Sequence, residues 1–548
     1  MVQPPDVLGW AKDIAQEFNI DAAKIREANI HFIKQLKDGL RIEDASLLQV
    51  PSFVTKLPDG TEKGVCLAID LGGTNLRVCS VDLHGDSTLS VIQSKAAIPQ
   101  EIMTADTYKT LFGFIAQHTE SFMQGHMPDA IDRWQQVLRT TPDRIDERVR
   151  REHCYSLGFS FSFTFHQRAI NQGTLMYWTK SFNIKDAIGR DPCAMLQEAL
   201  DERSLPLTVT ALVNDTVGTL AARAYCAPTQ GKTLLGAIFG TGTNGAYMEK
   251  VSDIQKLASN GMVKDGLRDQ HMALNTEWGG FDRDLEVLPI TRYDEELDRN
   301  SVNPKDQHYE KRISGLYLGE LLRRVILAGI EAGVLALEEP PSSRLHSAYS
   351  IDSSFLSNML QDSSPQLDDA KQHIVQVLGS RMPTTAEAES LKIVAEAIGR
   401  RAARLSAVAI AGVVIQSGRL DSQDKPAIAS RSGAFTSMFP TRLLQAGLDL
   451  LGRWMKGRPA APKDLLKLKR KGLCGADGGS MSNTIDVGVD GSLFEFFPGF
   501  EGNLRAALRE IPEIGLTHEA RISMGAAEDG SSVGAALIAM LSGQNNTL

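Results

Sequence analysis

The sequence predicts an α/β fold with at least two domains or lobes, and three observations carry that expectation. At 548 residues the chain is longer than a single hydrophobic core supports. Two segments, "GVCLAIDLGGTNLRVCSVDLHG" and "TLLGAIFGTGTNGAYME", each read as strand, glycine turn, strand. Beyond them, "ISGLYLGELLRRVILAGI" and "LKIVAEAIGRRAARLSAVAIAGVVI" carry the apolar spacing of helices.

The elements follow in order. In the first forty residues Ile14, Phe18, Ile25, Phe32 and Leu36 are spaced to form one helical face. Gly72 and Gly73 interrupt the first pair of strands. The charged region from His126 to Arg151 reads as solvated helix with no chemistry of its own. In "LGFSFSFTFHQ", Leu157 to Gln167, every second residue from Phe161 to Phe165 is Phe, so a half-buried strand with one aromatic face is expected. "LTVTALVNDTVGTLAARAY" reads as a strand that enters a helix at Asn214-Asp215. "EEPPSSRLHSAYSIDSSF" is loop-like, and "RPAAPKDLLKLKRKG" reads as a basic surface loop. The apolar run Leu405–Ile415 is too short to span a bilayer and reads as buried helix. "EDGSSVGAALIAML" closes the chain as a turn leading into an apolar helix.

Composition narrows the function classes. Hydrophobic content of 42% and charged content of 23% are those of a soluble globular protein. A net charge of −9 provides no general attraction to nucleic acid or anionic membrane. Cysteines at 66, 79, 154, 193, 226 and 474 form no CxxC pair, so reduced thiols in a cytoplasmic protein are expected. The N-terminal residues lack the apolar core of a signal peptide or a membrane anchor.

The two glycine turns carry the first chemistry. Glycine lets backbone N–H groups approach an anion closely, and consecutive N–H groups form a concave nest for phosphate. Each turn alone reads as well as a tight hairpin. Two matching turns, with Asp70 before the first, point to a nucleotide whose hydrated Mg²⁺ an aspartate could hold through water. No GxxxxGK[ST] occurs, which excludes a P-loop protein. Asn214-Asp215 reads either as a helix N-cap or as a general base beside a substrate-holding amide.

Taken in order, "IDLGGTNLRV", "LGFSFSF…Q…YWTKSF", "LVNDTVGTL", "FGTGTNGAYME", "LNTEWGGF" and "YEKRISGLYLGEL" closely resemble the signature segments of eukaryotic, fungal-type hexokinases. "VGVDGSLFEFFPGF" and "EDGSSVGAALIA" resemble that family's adenosine-side segments. The resemblance implies an actin-like ATPase (ribonuclease H-like) fold, with two lobes around a cleft for sugar and ATP. By position it implies a small lobe of residues 65–213 plus 528–548 and a large lobe of 1–64 plus 214–527. Asp215 would deprotonate the sugar 6-hydroxyl, with Lys180 as second catalytic residue. Ser162, Thr179, Lys180, Asn214, Asn244, Glu277 and Glu310 would hold the sugar. Asp70, Gly72, Gly73, Thr74, Asn75 and Arg77 would hold ATP phosphates together with Gly240, Thr241 and Gly242, and Gly491 and Ser492 would lie beside the adenosine. The metal would be Mg²⁺ carried by ATP, with no protein ligand of its own except Asp70 through water. The expected partners are sugar and ATP, and the expected state is a monomer or homodimer.

One loop departs from the family pattern. Where the family usually reads Ser-Phe-Pro-x-x-Gln, this chain has Ser162-Phe163-Thr164-Phe165-His166-Gln167. Loss of proline frees the loop path, and Phe165 and His166 add bulk near the expected sugar site. That departure favours an N-acetylglucosamine kinase, with a glucose or hexose kinase as the alternative. A sugar-sensing regulatory protein of low turnover is the reading from another class; the intact Asp215, Lys180 and glycine turns argue against it.

Overall fold

The computed structural model describes residues 6–73, 75–141, 145–179, 182–227, 233–259, 268–338, 340–420, 484–527 and 529–545. Two mixed sheets organise them, and the second repeats the first. The five-stranded sheet runs Leu89–Ala97, Asn75–His84, Lys63–Leu71, Tyr155–Phe161, Leu207–Val213. Its first three strands are antiparallel and the last two join in parallel. The six-stranded sheet runs Val50–Pro51, His271–Asn275, Thr243–Lys250, Thr233–Phe239, Ile485–Asp490, Ile522–Ala526. It has the same sequence of pairings with one short strand added at its edge. The two glycine turns occupy equivalent hairpins in the two sheets, so the similarity between their sequences is one of topology too.

Parallel strands bury both faces, and the sequence shows it: Cys66, Leu67, Ala68, Ile69 and Leu71 are all fully buried in one strand. Between the sheets lies a cluster built from small residues. Ala68 and Cys79 of the first sheet and Ala246 and Ala273 of the second meet Val217 and Leu220 of the Asp215–Cys226 helix. Ala535 and Ala536 of the Gly530–Asn545 helix join the same cluster. The two helices touch backbone to backbone, since a Cβ at Gly534 would lie 1.8 Å from the Gly218 oxygen. Glycine is the residue that permits this approach.

The N-terminal residues form helices Val7–Glu17 and Ala22–Gly39, and all five of the expected face residues are buried. They pack on the long Thr385–Gln416 helix, which also contains the apolar run ending at Ile415. Among the described residues no helix is long and apolar enough to cross a membrane. The charged region is helical, Pro128–Thr140 and Glu147–His153, but not wholly solvated, because Trp134 and Ala130 are buried. The basic stretch "RPAAPKDLLKLKRKG" lies outside the described residues.

The aromatic run differs from the single strand its periodicity predicts. Strand Tyr155–Phe161 ends at Ser162, and a second strand, Thr164–Ala169, pairs only with Gln172–Tyr177 in a separate hairpin. Period two survives the break because Phe159, Phe161 and Phe163 still share one packed face, with adjacent centroids 5.2 and 4.9 Å apart. Strand Tyr155–Phe161 is not half-buried as its alternation predicts: Leu157 to Phe161 are all buried, Ser160 included, because the strand lies between two parallel neighbours inside the sheet.

Candidate active site

The site gathers at the ends of the strands that carry the glycine turns. Strand Leu207–Val213 stops at Asn214, whose side-chain oxygen accepts the Thr216 N–H at 3.0 Å and the Thr216 hydroxyl at 2.6 Å. Asn214 is therefore the N-cap, and Asp215 opens the helix as its first residue. The sequence left cap and base open for the pair; the structure puts Asn214 at the N-cap position, and the Asp215 carboxylate at the helix entrance shares the Thr216 N–H at 2.8 Å.

A connected amide and carboxylate network adjoins that helix start. Asn244 donates from Nδ2 to Asn275 Oδ1 at 2.8 Å and to Glu277 Oε1 at 3.0 Å. Asn275 donates to the same Glu277 oxygen at 2.6 Å, and the Thr216 hydroxyl reaches Asn275 at 3.5 Å. Glu277 stands in left-handed backbone conformation, φ +53°, a costly state for a residue with a Cβ. Such strain persists where surroundings over-determine it, and it concentrates at functional sites. Trp278 beside it is fully buried, stacks on Phe239 and donates to Thr243 Oγ1 at 3.0 Å, so it packs the site instead of lining it.

Glu310 holds the backbone between the second glycine turn and Asn244. Its Oε1 accepts the Thr243 N–H at 3.2 Å. The turn itself closes with Gly240 N–H donating to Gly242 O at 3.0 Å. On its far side lies Gly491, φ +118°, where a Cβ would stand 2.5 Å from Phe239 backbone, and Ser492 begins the next short helix. At the first turn, Gly72 N–H donates to Asn75 O, and Ser162 N–H reaches Leu71 O at 3.5 Å. Asp70 accepts the Ser531 hydroxyl at 3.3 Å, and Arg77 pairs with Asp529 at 3.2 Å. Both contacts bring the start of the C-terminal helix to the first turn.

Two sequence models of the hexokinase family, each described as "Hexokinase", match residues 10–225 and 234–541. A glucokinase of Aspergillus niger is 41% identical over 553 aligned residues, covering 99% of this chain and 98% of that protein. The chain belongs to the hexokinase family. Hexokinase-2 of Schizosaccharomyces pombe is 34% identical over 532 residues, covering 96% of each. Among solved structures, Schistosoma mansoni hexokinase complexed with glucose superposes with a TM-score of 0.72 at 28% identity, over 97% of this chain and 98% of that one. The expected actin-like hexokinase fold is the fold observed.

In this hexokinase-family chain the expected site residues divide into three groups. Asn214, Asp215, Asn244, Glu277 and Glu310 meet on the second sheet's side, with Gly240, Thr241, Gly242 and Gly491 next to them. Asp70, Gly72, Gly73, Asn75, Arg77, Ser162 and Thr179 belong to the first sheet and its neighbours. Among the described residues no hydrogen bond joins the Ser162 or Thr179 side chain to the Asn244–Glu277 network. Lys180 and Thr74 lie outside the described residues.

In the departing loop Phe165 is half-buried, its ring 5.9 Å from Phe161 and packed against the first sheet's core. His166 is exposed on the next position of the strand. Gln167 is buried and donates to Leu212 O at 3.0 Å and Ala169 O at 3.2 Å, so it ties the hairpin to the sheet.

Three residues of the site were missed by sequence reasoning. Asn275 and Thr276 sit inside the quoted "LNTEWGGF", where only the charged residue drew attention. Asp490 precedes Gly491, and burial, then the nearby Glu495, Asp529 and Asp215, push its carboxyl up to about 6. No residue-type pattern marks Asp490, because its burial and two of its three acidic neighbours, Asp529 and Asp215, depend on distant parts of the chain.

Proposed function

We propose that this protein transfers the γ-phosphate of ATP to the 6-hydroxyl of a glucose-type hexose, with Asp215 as general base. The observation that carries the reading is the Asn244–Asn275–Glu277 network, reached by Thr216 next to Asp215, with Glu310 holding the Thr243 N–H between Asn244 and a glycine turn. A sugar hydroxyl is a weak nucleophile, so a carboxylate within reach must accept its proton as the bond to phosphorus forms. Paired amides and carboxylates match vicinal hydroxyls, which both donate and accept. Ser162, Thr179 and Lys180 would complete the sugar site when the lobes close, and closure excludes the water that would otherwise take the phosphoryl group.

Phosphoryl transfer needs positioning and charge neutralisation more than covalent chemistry. The two glycine turns, with Thr74, Asn75 and Arg77, would hold the phosphates, and Gly491 and Ser492 would flank the adenosine. Mg²⁺ bound with ATP supplies charge neutralisation, and Asp70, whose carboxylate is held by Ser531, would face its water. The same reading assigns residues 65–213 with 528–548 to the small lobe and 1–64 with 214–527 to the large one.

Glucose is favoured over N-acetylglucosamine. The relatives are named glucokinases and hexokinases. A coupled ADP-release assay with glucose, fructose, mannose and N-acetylglucosamine tests this. Turnover on glucose, with kcat/KM on the N-acetyl sugar at least tenfold lower, is expected. Asp215→Ala should reduce kcat by about 10²–10⁴-fold while glucose binding stays measurable. Sugar binding without turnover in the unmodified protein would favour the sensing reading instead.

A further inference from the structure

The helix Gly315–Glu331 begins directly against the second glycine turn. The first N–H groups of a helix lack intrahelical partners and are commonly satisfied by an N-cap side chain. Here the N-cap is Ser314, which makes no capping bond; its hydroxyl is buried and has no hydrogen-bond partner. The turn does the capping instead. Gly315 N–H donates to Gly240 O at 2.7 Å, and Leu316 N–H donates to Thr241 O at 3.1 Å.

These two bonds fix the direction of the turn's own donors. All described peptide bonds are trans, and in a trans peptide the C=O and N–H point to opposite sides. With the carbonyls of Gly240 and Thr241 held toward the helix, the N–H groups of Thr241 and Gly242 point away from it. The helix N-terminus thereby places its positive end behind the same two peptides. Four residues upstream, Glu310 takes the next N–H of the turn region, that of Thr243. One continuous segment, Glu310–Leu316, thus grips the turn at three successive points.

The contact leaves little room for a side chain on either partner. A Cβ at Gly315 would lie 3.0 Å from Gly240 O and 2.9 Å from Ser353 Oγ. A Cβ at Gly242 would lie 2.8 Å from Glu310 Oε1.

We propose that Glu310–Leu316 is a positioning clamp that presents the Thr241 and Gly242 N–H groups to phosphate and couples sugar occupancy to nucleotide binding through Glu310. The coupling rests on the reading that Glu310 also accepts a sugar hydroxyl. A hydroxyl donating to Glu310 fixes the carboxylate that holds Thr243, and the effect is reciprocal: the nucleotide must tighten the sugar by the same factor.

The test uses calorimetric binding of a non-hydrolysable ATP analogue with Mg²⁺ to the full-length protein, with and without saturating glucose. Gly315→Ala should weaken analogue binding about tenfold and reduce the glucose effect on it toward one. Glucose affinity without nucleotide should stay within twofold, which also reports that the variant is folded. Leu316→Pro, which deletes the N–H donated to Thr241 O at an exposed first-turn position where proline fits a helix, makes the same test if Gly315→Ala does not fold. Equal loss of both affinities, unchanged analogue binding, or unfolding of both variants would overturn the clamp. Turnover is not needed for any of these readings, so a protein that binds both ligands without phosphorylating glucose refutes the kinase assignment and leaves the clamp to stand or fall on binding.

Discussion

The fold raises the carboxyl of Asp490, which lies beside Gly491 and feels the charge of Asp215. Burial first, then Glu495, Asp529 and Asp215, raise its carboxyl from 3.8 to about 6. A carboxyl raised in the folded state favours the protonated protein. Its contribution to stability is complete below the unfolded value near 3.8 and disappears as pH rises through about 6. Asp490→Asn removes that loss, so the variant should melt higher than the parent at pH 7.5 and show little difference at pH 4. The full effect is bounded at about 3 kcal/mol by the value of a pKa unit. Equal shifts at both pH values in thermal melts would refute the ionisation argument.

Elements meet in this protein through glycine more than through large side chains. The Thr243–Lys250 strand passes Trp278 so closely that a Cβ at Gly245 would lie 2.2 Å from the indole ring. Asn244 precedes Gly245 and Glu277 precedes Trp278, so the contact sets the spacing of two candidate sugar ligands. Gly245→Ala should overpack this junction at a cost of about 1–3 kcal/mol and raise the KM for glucose more than that for ATP. A lowered melting temperature with both KM values unchanged would show that the junction serves stability alone. The same economy of side chain appears where Gly218 meets Gly534, at the crossing of the two helices between the sheets.

At the scale of the molecule, two sheets of matching topology face one another across helices rather than through a shared sheet. The sugar-side residues are divided between them, with Ser162 and Thr179 on one side and Asn244, Glu277 and Glu310 on the other. A ligand that contacts both sides favours their approach and binds the folded state alone. Glucose at 100 times its dissociation constant should therefore stabilise the protein by about 2.7 kcal/mol in denaturant titrations. A shift no larger than that produced by a non-substrate sugar at the same concentration would argue against a specific site.

The fold class and most residues of the candidate site were legible because their signals are local. Glycine turns, helical spacing in Ile14 to Leu36 and a polar pair at a strand end each depend on a few neighbouring positions. The ordered motifs carried the family as well, since each keeps its residue types within a short window. What lay beyond the sequence depends on contacts between distant segments. Period two in "LGFSFSFTFHQ" could not say that the strand changes partners at Ser162, nor that Phe165 packs against the core while His166 faces solvent. Asn275 as a bridge, the raised carboxyl of Asp490, and the helix start that holds the Gly240 turn all require groups remote in the chain to be brought together. By itself the sequence determined which residues could do the chemistry. Only the tertiary structure decided which of them touch, because proximity in space is set by packing of whole elements and not by the spacing of residues along the chain.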